Sequence, residues 1–161
     1  MTVYTIQGNL LESDCSVIIH QANCFATMGA GIAKQIRDLY PTVYYVDKNY
    51  KVPVGSKSRL GHTSHDYVDG PHGRLLVINL YGQYNYSRNK RTPEELSEQH
   101  TAFKKGLHSI LRRMEELGRG YKIGLPYGIG CGLAGGDWSI VSEIIEEASE
   151  KFGRDIYLYK L

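Results

Sequence analysis

The sequence predicts an α/β domain in which helices cover both faces of a central sheet. Short apolar runs typical of strands alternate along the chain with segments whose apolar residues recur at helical spacing. One run, residues 16–20 (SVIIH), is rich in β-branched residues, as in a strand that is buried on both faces. Alternating strands and helices favour parallel strands joined by helical crossovers. Because no repeat, low-complexity tract or linker interrupts the chain, we expect one domain over residues 1–161.

The first half of the chain is predicted to contain strands and two short helices. Pro41 closes the first helix, because a residue that precedes proline disfavours helical geometry. The predicted elements are a strand at 3–7, the strand at 16–20, a helix from Gly31, a short helix at 42–50, an exposed connection at 51–59, a weak strand at 60–67 and a strong strand at 74–81.

The second half opens with three signals for the start of a helix. Thr92 is placed to cap the first amides, Pro93 takes the first helical position, and Glu95 completes a capping box. An apolar stripe at helical spacing continues to Leu117, and Asp137 is placed to cap a later helix. The remaining predicted elements are a strand at 122–126, a glycine-rich loop at 127–136, a helix at 138–152 and a strand at 155–160.

Composition narrows the classes of function. The 19 Lys and Arg residues against 17 Asp and Glu give a net charge of +2, which does not favour nucleic acid as the main partner. No apolar run approaches the roughly 20 residues of a membrane span, and the first residues (MTVYTIQGN) lack the pattern of a secretion signal. Three cysteines are too few for a disulfide framework. We therefore expect a cytoplasmic protein with no membrane partner.

Glycine is over-represented, with 18 residues, and much of the surplus falls in two loops. Both loops follow a predicted strand and precede a predicted helix, which is where ligands bind in open α/β sheets. Glycine lets successive amides point at an anion, and a helix N-terminus adds a positive end. The loops therefore predict a diphosphate clamp, with plain turns as the alternative, and neither continues as a Walker or Rossmann motif. The loop glycines are Gly29, Gly31, Gly128, Gly130, Gly132, Gly135 and Gly136.

The residues around the two loops resemble those of macrodomains, the ADP-ribose-binding modules. Four motifs, specific together in their order and spacing, carry the resemblance: GNLL at 8–11, HQAN at 20–23, MGAGIA at 28–33 and PYGIGCGL at 126–133. The chain is most similar to the branches that remove phosphate from ADP-ribose 1″-phosphate or terminal ADP-ribose from macromolecules. The resemblance implies a three-layer α/β/α sandwich with a central mixed sheet.

The resemblance also implies where ADP-ribose would lie. Asn9 and Leu10 would contact the adenine, and Asn23 would contact the distal ribose. Tyr81 and Gln83, at and after the end of the strongest strand, are expected to border the same crevice. An aromatic ring there would stack on a ribose or the adenine, with core packing as the alternative for a strand tyrosine. No cofactor is expected. One side of the diphosphate and distal ribose would be lined by Gly29, Ala30, Gly31 and Ile32, and the other side by Gly128, Ile129, Gly130, Cys131, Gly132 and Leu133.

Two departures from the family pattern affect this interpretation. Most macrodomains have Asp where this chain has Asn9, whose amide oxygen still accepts from the adenine amino group but without charge assistance. Some hydrolases of terminal ADP-ribose use a lysine after the central strand, paired with an acid in the late loop. Residues 79–83 (NLYGQ) contain no lysine, and Ala134 stands where the acid would lie. A mechanism based on water is therefore favoured over a covalent one.

The candidates for catalysis are His20, Asn23 and Asp137. His20 ends a buried strand and titrates ordinarily near neutral pH, so it is a candidate general acid or base; alternatively it only hydrogen-bonds a loop. Asn23 is a candidate to position the ribose or a water. Asp137 either activates water or caps the following helix. Cys131 is either a stabilised thiolate or a small packing residue.

The histidines and the basic run have competing interpretations. We expect no metal ion shared by His62 and His65, because a spacing of three on a strand places them on opposite faces. Adding His72 does not change this expectation. Residues 87–91 (SRNKR) either form a charged segment exposed to solvent or bind the phosphates of a larger substrate.

Three hypotheses of function follow. The first is a hydrolase of ADP-ribose derivatives, most like the 1″-phosphate phosphatases. The alternatives are a non-catalytic ADP-ribose reader and a de-ADP-ribosylase of protein or nucleic acid. The expected partner is ADP-ribose or a derivative, either free or carried on an ADP-ribosylated macromolecule.

Overall fold

The computed structural model describes residues 1–87 and 89–161, which form six strands and four helices. In chain order these are β1 (Val3–Gln7), β2 (Val17–Ala22), α1 (Gly31–Leu39), α2 (Pro41–Lys48), β3 (Thr63–Gly70), β4 (Gly73–Tyr81), α3 (Pro93–Leu117), β5 (Ile123–Pro126), α4 (Trp138–Phe152) and β6 (Ile156–Lys160).

The strands form one mixed sheet in the order β1-β6-β5-β2-β4-β3. All neighbours are parallel except β3, which forms an antiparallel hairpin with β4 and lies at one edge. The predicted mixed sheet is therefore confirmed. Because β5, β2 and β4 are adjacent and parallel, the loops that follow their carboxyl ends meet at the same edge of the sheet.

Two apolar cores lie on opposite faces of this sheet. Along β2, Val17 and Ile19 belong to the core under α3 and α4, whereas Ile18 belongs to the core under α1 and α2. The alternation follows from the two-residue period of a strand, and it explains why β2 reads as a continuous apolar run. Helices on both faces confirm the predicted three-layer sandwich.

The N-terminal ends of the helices differ in whether a side chain caps their first backbone amides. At α3, Thr92 Oγ1 accepts from the Glu95 amide at 3.1 Å and Glu95 Oε1 accepts from the Thr92 amide at 3.0 Å, so the predicted capping box is confirmed. At α4, Asp137 accepts from the Ser139 amide at 2.9 Å. At α1, Ala30 offers no side-chain cap, so the first amides of that helix have no intrahelical or capping partner.

Three parts of the fold differ from the sequence prediction. Residues 51–59 are not uniformly exposed, because Arg59 at the end of this connection is fully buried. The third strand begins and ends three residues later than predicted, at Thr63–Gly70, and a short 3₁₀ turn at Leu10–Glu12 was not predicted. Within the described part of the chain, no helix is both long and apolar enough to cross a membrane.

Candidate functional site

A cavity of about 390 Å³ opens where β2 and β4 end, between the loop that precedes α1 and the late loop at 127–136. Its volume falls within the range of small-molecule sites. The lining residues are Gln21, Ala22, Asn23, Thr27, Met28, Gly29, Ala30, Ala33, Gln83, Tyr86, Leu133 and Ala134.

The cavity is polar but electrically neutral. Its polar side chains are amides and hydroxyls, and no acidic or basic side chain lines it among the described residues. A bound anion would therefore depend on backbone amides for compensation, and proton transfer would depend on water or on the ligand itself.

Two glutamines form the floor of the cavity. Gln21 Nε2, at the end of β2, donates to Gln83 Oε1 at 2.9 Å, and Gln83 Nε2 donates to the Asn85 carbonyl at 2.9 Å. The Gln21 side chain occupies space that a Cβ at Gly82 or Gly130 would fill, since its Oε1 would contact both, at 2.7 Å in the case of Gly130. These two glycines therefore allow Gln21 to pass between β4 and the late loop.

The wall before α1 is a constrained turn. Asn23 Nδ2 donates to Thr27 Oγ1 at 2.7 Å, and Asn23 Oδ1 accepts from the Phe25 amide at 2.8 Å. Ala26 and Met28 both have positive φ angles, 54° and 40°, which side-chain-bearing residues rarely adopt. Such strain persists where the surroundings over-determine the backbone, and it is concentrated at functional sites.

The late loop is closed by its own backbone. The Cys131 amide donates to the Gly128 carbonyl, and the Gly136 amide donates to the Gly130 carbonyl, both at 2.9 Å. Gly128 and Gly130 have φ angles of 76° and 74°, which glycine adopts without strain. The amides of Gly130, Gly132, Leu133 and Ala134 have no protein acceptor in the described ranges.

His20 is fully buried on the α2 side of the sheet and does not line the cavity. Its Nε2 lies 2.5 Å from Asn79 Oδ1, and its Nδ1 has no partner among the described residues. Since Asn79 Nδ2 donates to Ser64 Oγ, Asn79 Oδ1 accepts from a proton on His20 Nε2. Burial lowers the pKa of His20 to about 4. The expectation that His20 exchanges protons with a ligand in the cleft is therefore wrong.

Tyr81 also lies on the buried face and not in the cavity. Its hydroxyl donates to Asp47 Oδ1 at 2.8 Å and lies 2.7 Å from Ser64 Oγ. Asp47 pairs in turn with Arg59 at 3.0 Å, and both of these side chains are almost completely buried. The prediction that Tyr81 borders the ligand is wrong, because β4 turns alternate side chains to opposite faces and Tyr81 shares the face of Asn79.

Asp137 and Cys131 have structural environments. The Asp137 carboxylate accepts from the amide and the hydroxyl of Ser139, and these bonds hold its pKa below the ordinary value. Asp137 does not line the cavity, so its helix-cap interpretation is confirmed and its catalytic one is not supported. Burial raises the pKa of Cys131 to about 11, which leaves a neutral thiol at pH 7.

The other predicted site residues divide into two groups. Five of them line the cavity: Asn23, Gly29, Ala30, Gln83 and Leu133. The others lie beside it, Gly31 and Ile32 in the first turn of α1, and Gly128, Ile129, Gly130 and Gly132 in the late loop.

The predicted adenine contacts lie outside the cavity. Asn9 Oδ1 accepts from the Leu11 amide at 3.0 Å, and Leu10 is buried in the core under α1.

The basic run is only partly described, since Arg88 lies outside the described residues. Arg91 is not solvated charge, because its Nε donates to Gln99 Oε1 at 2.8 Å in a buried position. Gln99 donates in turn to the Ala134 carbonyl at 3.1 Å, which fixes the late loop to α3. Across residues 1–87 and 89–161, no three His, Cys, Asp or Glu side chains form a group that could hold a metal ion.

The fold is that of several solved macrodomains. The macrodomain of Mycobacterium tuberculosis DarG superposes with a TM-score of 0.72 at 23% identity, covering 98% of this chain and 97% of that one. Thermosipho africanus DarTG in complex with ADP-ribose superposes with a TM-score of 0.75 at 17% identity, covering 99% of this chain and 42% of that one. The chain has the macrodomain fold. No family model matches the sequence of this chain.

Curated relatives of the macrodomain include two named enzymes. A DNA ADP-ribosyl glycohydrolase of Thermus aquaticus is 28% identical over 158 residues, covering 96% of this chain and 40% of that protein. An ADP-ribose 1″-phosphate phosphatase of Aspergillus oryzae is 23% identical over 186 residues, which cover 94% of this chain and 91% of that protein. An uncharacterized 17.5 kDa protein of phage T4 is 28% identical over 158 residues, which cover 94% of this chain and 92% of that protein. The chain thus spans less than half of the glycohydrolase.

Sequence reasoning missed seven lining residues. Gln21 could have been found from strand alternation, because it points away from His20 on a strand whose end borders the loops. Thr27, Met28 and Tyr86 carry no comparable signal, since their positions depend on the path of loop backbones. The seven residues are Gln21, Ala22, Thr27, Met28, Ala33, Tyr86 and Ala134.

Proposed function

We propose that this macrodomain binds ADP-ribose in the cleft between the two glycine-containing loops. The observation that carries the proposal is the set of backbone amides without acceptors on both sides of a neutral cavity. The uncapped first turn of α1 contributes amides on one side, and Gly130 to Ala134 contribute amides on the other. A diphosphate between the loops would accept from both sets and gain from the positive end of α1.

The comparisons support this ligand. Thermosipho africanus DarTG was solved with ADP-ribose, and two curated relatives are named for acting on ADP-ribose derivatives. Backbone amides also explain how a chain with a net charge of only +2 would hold two phosphates.

We further infer that the macrodomain hydrolyses an ADP-ribose derivative through attack by water. The neutral cavity supports this route, because none of the described lining residues is an Asp, Glu, His, Lys or Cys that could act as a base or form a covalent intermediate. On ADP-ribose 1″-phosphate, the water oxygen would bond to phosphorus, the bond from phosphorus to the ribose oxygen would break, and the ribose oxygen would take a proton. Asn23 and Gln21 would orient the water, and loop amides would stabilise the charge on phosphate.

Two alternatives are each supported by one observation. The same lack of a carboxylate, imidazole, ammonium or thiol among the described lining residues supports a reader that binds ADP-ribose without turnover. The name of the Thermus aquaticus relative supports removal of ADP-ribose from DNA. A cytosolic location is part of the proposal and is supported by three unpaired cysteines.

Chemical-shift mapping with ADP-ribose tests the site, and product assays test turnover. ADP-ribose should shift the amide resonances of residues 29–32 and 130–134, and leave those of Tyr67 and Arg119, on other surfaces, in place. Release of phosphate from ADP-ribose 1″-phosphate, or of ADP-ribose from an ADP-ribosylated oligonucleotide or protein, would identify the reaction. Binding without any of these products would leave only the reader, and shifts confined to other surfaces would contradict the proposed site.

A further inference from the structure

The mouth of the cavity carries an exposed aromatic side chain that no predicted contact uses. Tyr86 lines the cavity and yet is 62% exposed, so a large part of its surface faces solvent beside the cleft. An exposed tyrosine is common on protein surfaces, but one on the rim of a ligand cavity has a ring available to whatever extends out of that cavity.

Tyr86 stands on a fixed aromatic support. Its ring packs edge to face against Phe25, with centroids 5.8 Å apart and planes at 80°, and Phe25 packs against Tyr84 at 5.0 Å and 60°. The Tyr84 hydroxyl donates to the Gly55 carbonyl at 2.9 Å, and the Tyr84 carbonyl accepts from the Cys24 amide at 2.8 Å. Tyr84 is thus fixed by hydrogen bonds, and Phe25 lies between Tyr84 and the exposed Tyr86 ring.

Cations surround this aromatic support. Lys57 Nζ lies 5.1 Å from the centroid of the Tyr84 ring, and Arg37 Nη1 donates to the carbonyl of Thr27, a lining residue. Lys90 is exposed and follows Tyr86 by four residues. One acid, Glu98, lies 3.5 Å from Lys57. One cation therefore lies beside the aromatic support, and a second contacts a residue of the cavity wall.

We propose that Tyr86, supported by Phe25 and Tyr84, forms a stacking subsite for a nucleobase that carries the ADP-ribose. This subsite rests on the proposed binding of ADP-ribose, with Asn23 at the distal ribose. Since Asn23 and Tyr86 line the same cavity, a group attached to that ribose leaves the cavity beside the tyrosine. An aromatic ring with cations nearby is the combination that recognises single-stranded nucleic acid, through base stacking and phosphate contacts.

Removing the ring tests the subsite. Affinities of wild-type protein, Tyr86→Ala and Tyr86→Phe are measured by rapid-mixing competition against fluorescent ADP-ribose, before turnover. The three probes are free ADP-ribose, a short single-stranded oligonucleotide with ADP-ribose on one base, and a peptide with ADP-ribose on a serine. Tyr45→Ala, at a tyrosine that is 66% exposed on α2, is the matched control.

Tyr86→Ala should weaken binding of the oligonucleotide by about tenfold, as expected for one lost stack, and change the other two affinities less than about twofold. Tyr86→Phe and Tyr45→Ala should bind all probes like the wild type. An equal loss of affinity for free ADP-ribose would mean that the adenine stacks on Tyr86, and an equal loss for the peptide would mean that Tyr86 contacts any attached group. Either result would overturn the subsite. Unchanged affinity for the oligonucleotide would overturn it as well. If wild-type protein failed to bind free ADP-ribose, the proposed function itself would fall, which is a distinguishable result.

Discussion

Gly130 faces the side-chain amide of Gln21 across the edge of the cavity, so closely that a Cβ on Gly130 would lie 2.7 Å from Gln21 Oε1. Gln21 also donates to Gln83, so the contact links the late loop to the ends of β2 and β4. Glycine is therefore required at position 130 for two reasons: the loop backbone has a positive φ there, and a Cβ would displace Gln21 at the cavity.

Gly130→Ala should lower the affinity for ADP-ribose by at least about tenfold, because the new Cβ displaces Gln21 and shifts the late-loop amides. Gly128→Ala is a matched control: its φ of 76° is nearly the same as that of Gly130, 74°, but its Cβ would meet nothing within 4 Å. Both variants should lose similar stability from the strained backbone, about 1–2 kcal/mol. Equal affinities of the two variants for ADP-ribose would show that Gln21 is not part of the site.

The stability of the protein should depend on pH through His20. Burial lowers the pKa of this imidazole from its ordinary 6.5 to about 4, so between these values the unfolded chain binds a proton that the folded chain does not. The free energy of unfolding should therefore be highest above pH 6.5 and should fall by about 3 kcal/mol as the pH drops through this window. Urea titrations at half-unit steps of pH measure the change.

His20→Gln supplies the control for this dependence, because a glutamine amide is able to donate to Asn79 and does not titrate. Between pH 6.5 and 4, the free energy of unfolding of this variant should fall by about 3 kcal/mol less than that of the wild type. His65→Gln, at an exposed histidine on β3, should leave the wild-type curve unchanged. Undiminished pH dependence in His20→Gln would mean that other groups are responsible.

The buried pair of Asp47 and Arg59 should be costly to break. Asp47→Asn leaves the Arg59 charge buried without its counter-charge, which should lower the free energy of unfolding by about 3–5 kcal/mol. Asp38→Asn breaks the exposed pair with Lys34, at 2.9 Å on α1, and should cost less than about 1 kcal/mol. A loss for Asp47→Asn as small as that of the control would show that Arg59 finds another partner.

Asn9 offers a gain-of-affinity test of the adenine contact. Asn9→Asp would supply a charged acceptor for the adenine amino group, and it should tighten ADP-ribose binding about fivefold, since a charge-assisted hydrogen bond is roughly 1 kcal/mol stronger. The affinity for the inosine analogue, which lacks the amino group, should not improve. Equal tightening for both ligands would indicate a general electrostatic effect and not an adenine contact.

The architecture was largely predictable because local signals agreed with it. The capping box at Thr92, the cap at Asp137 and the β-branched run of β2 each act within a few residues, and all three are present in the fold. The bounds of β3 were not predictable, because they depend on pairing with β4 and not on the weak alternation of their own residues.

The site was predictable at the level of loops and less so at the level of side chains. Glycine placement identified both walls of the cavity, because backbone conformation there is a local property. His20 and Tyr81 were misassigned, since motif spacing does not say which face of a strand a residue takes. Their buried network depends on Asp47 and Arg59, which are distant in sequence and carry no motif.

A calorimetric titration of wild-type protein with ADP-ribose is the most direct test of the central claim that the cleft binds this ligand. It should give one site per chain, with an affinity that Gly130→Ala lowers by at least about tenfold and Gly128→Ala changes little. No heat of binding at millimolar ADP-ribose, or equal affinity in the wild type and Gly130→Ala, would contradict the claim.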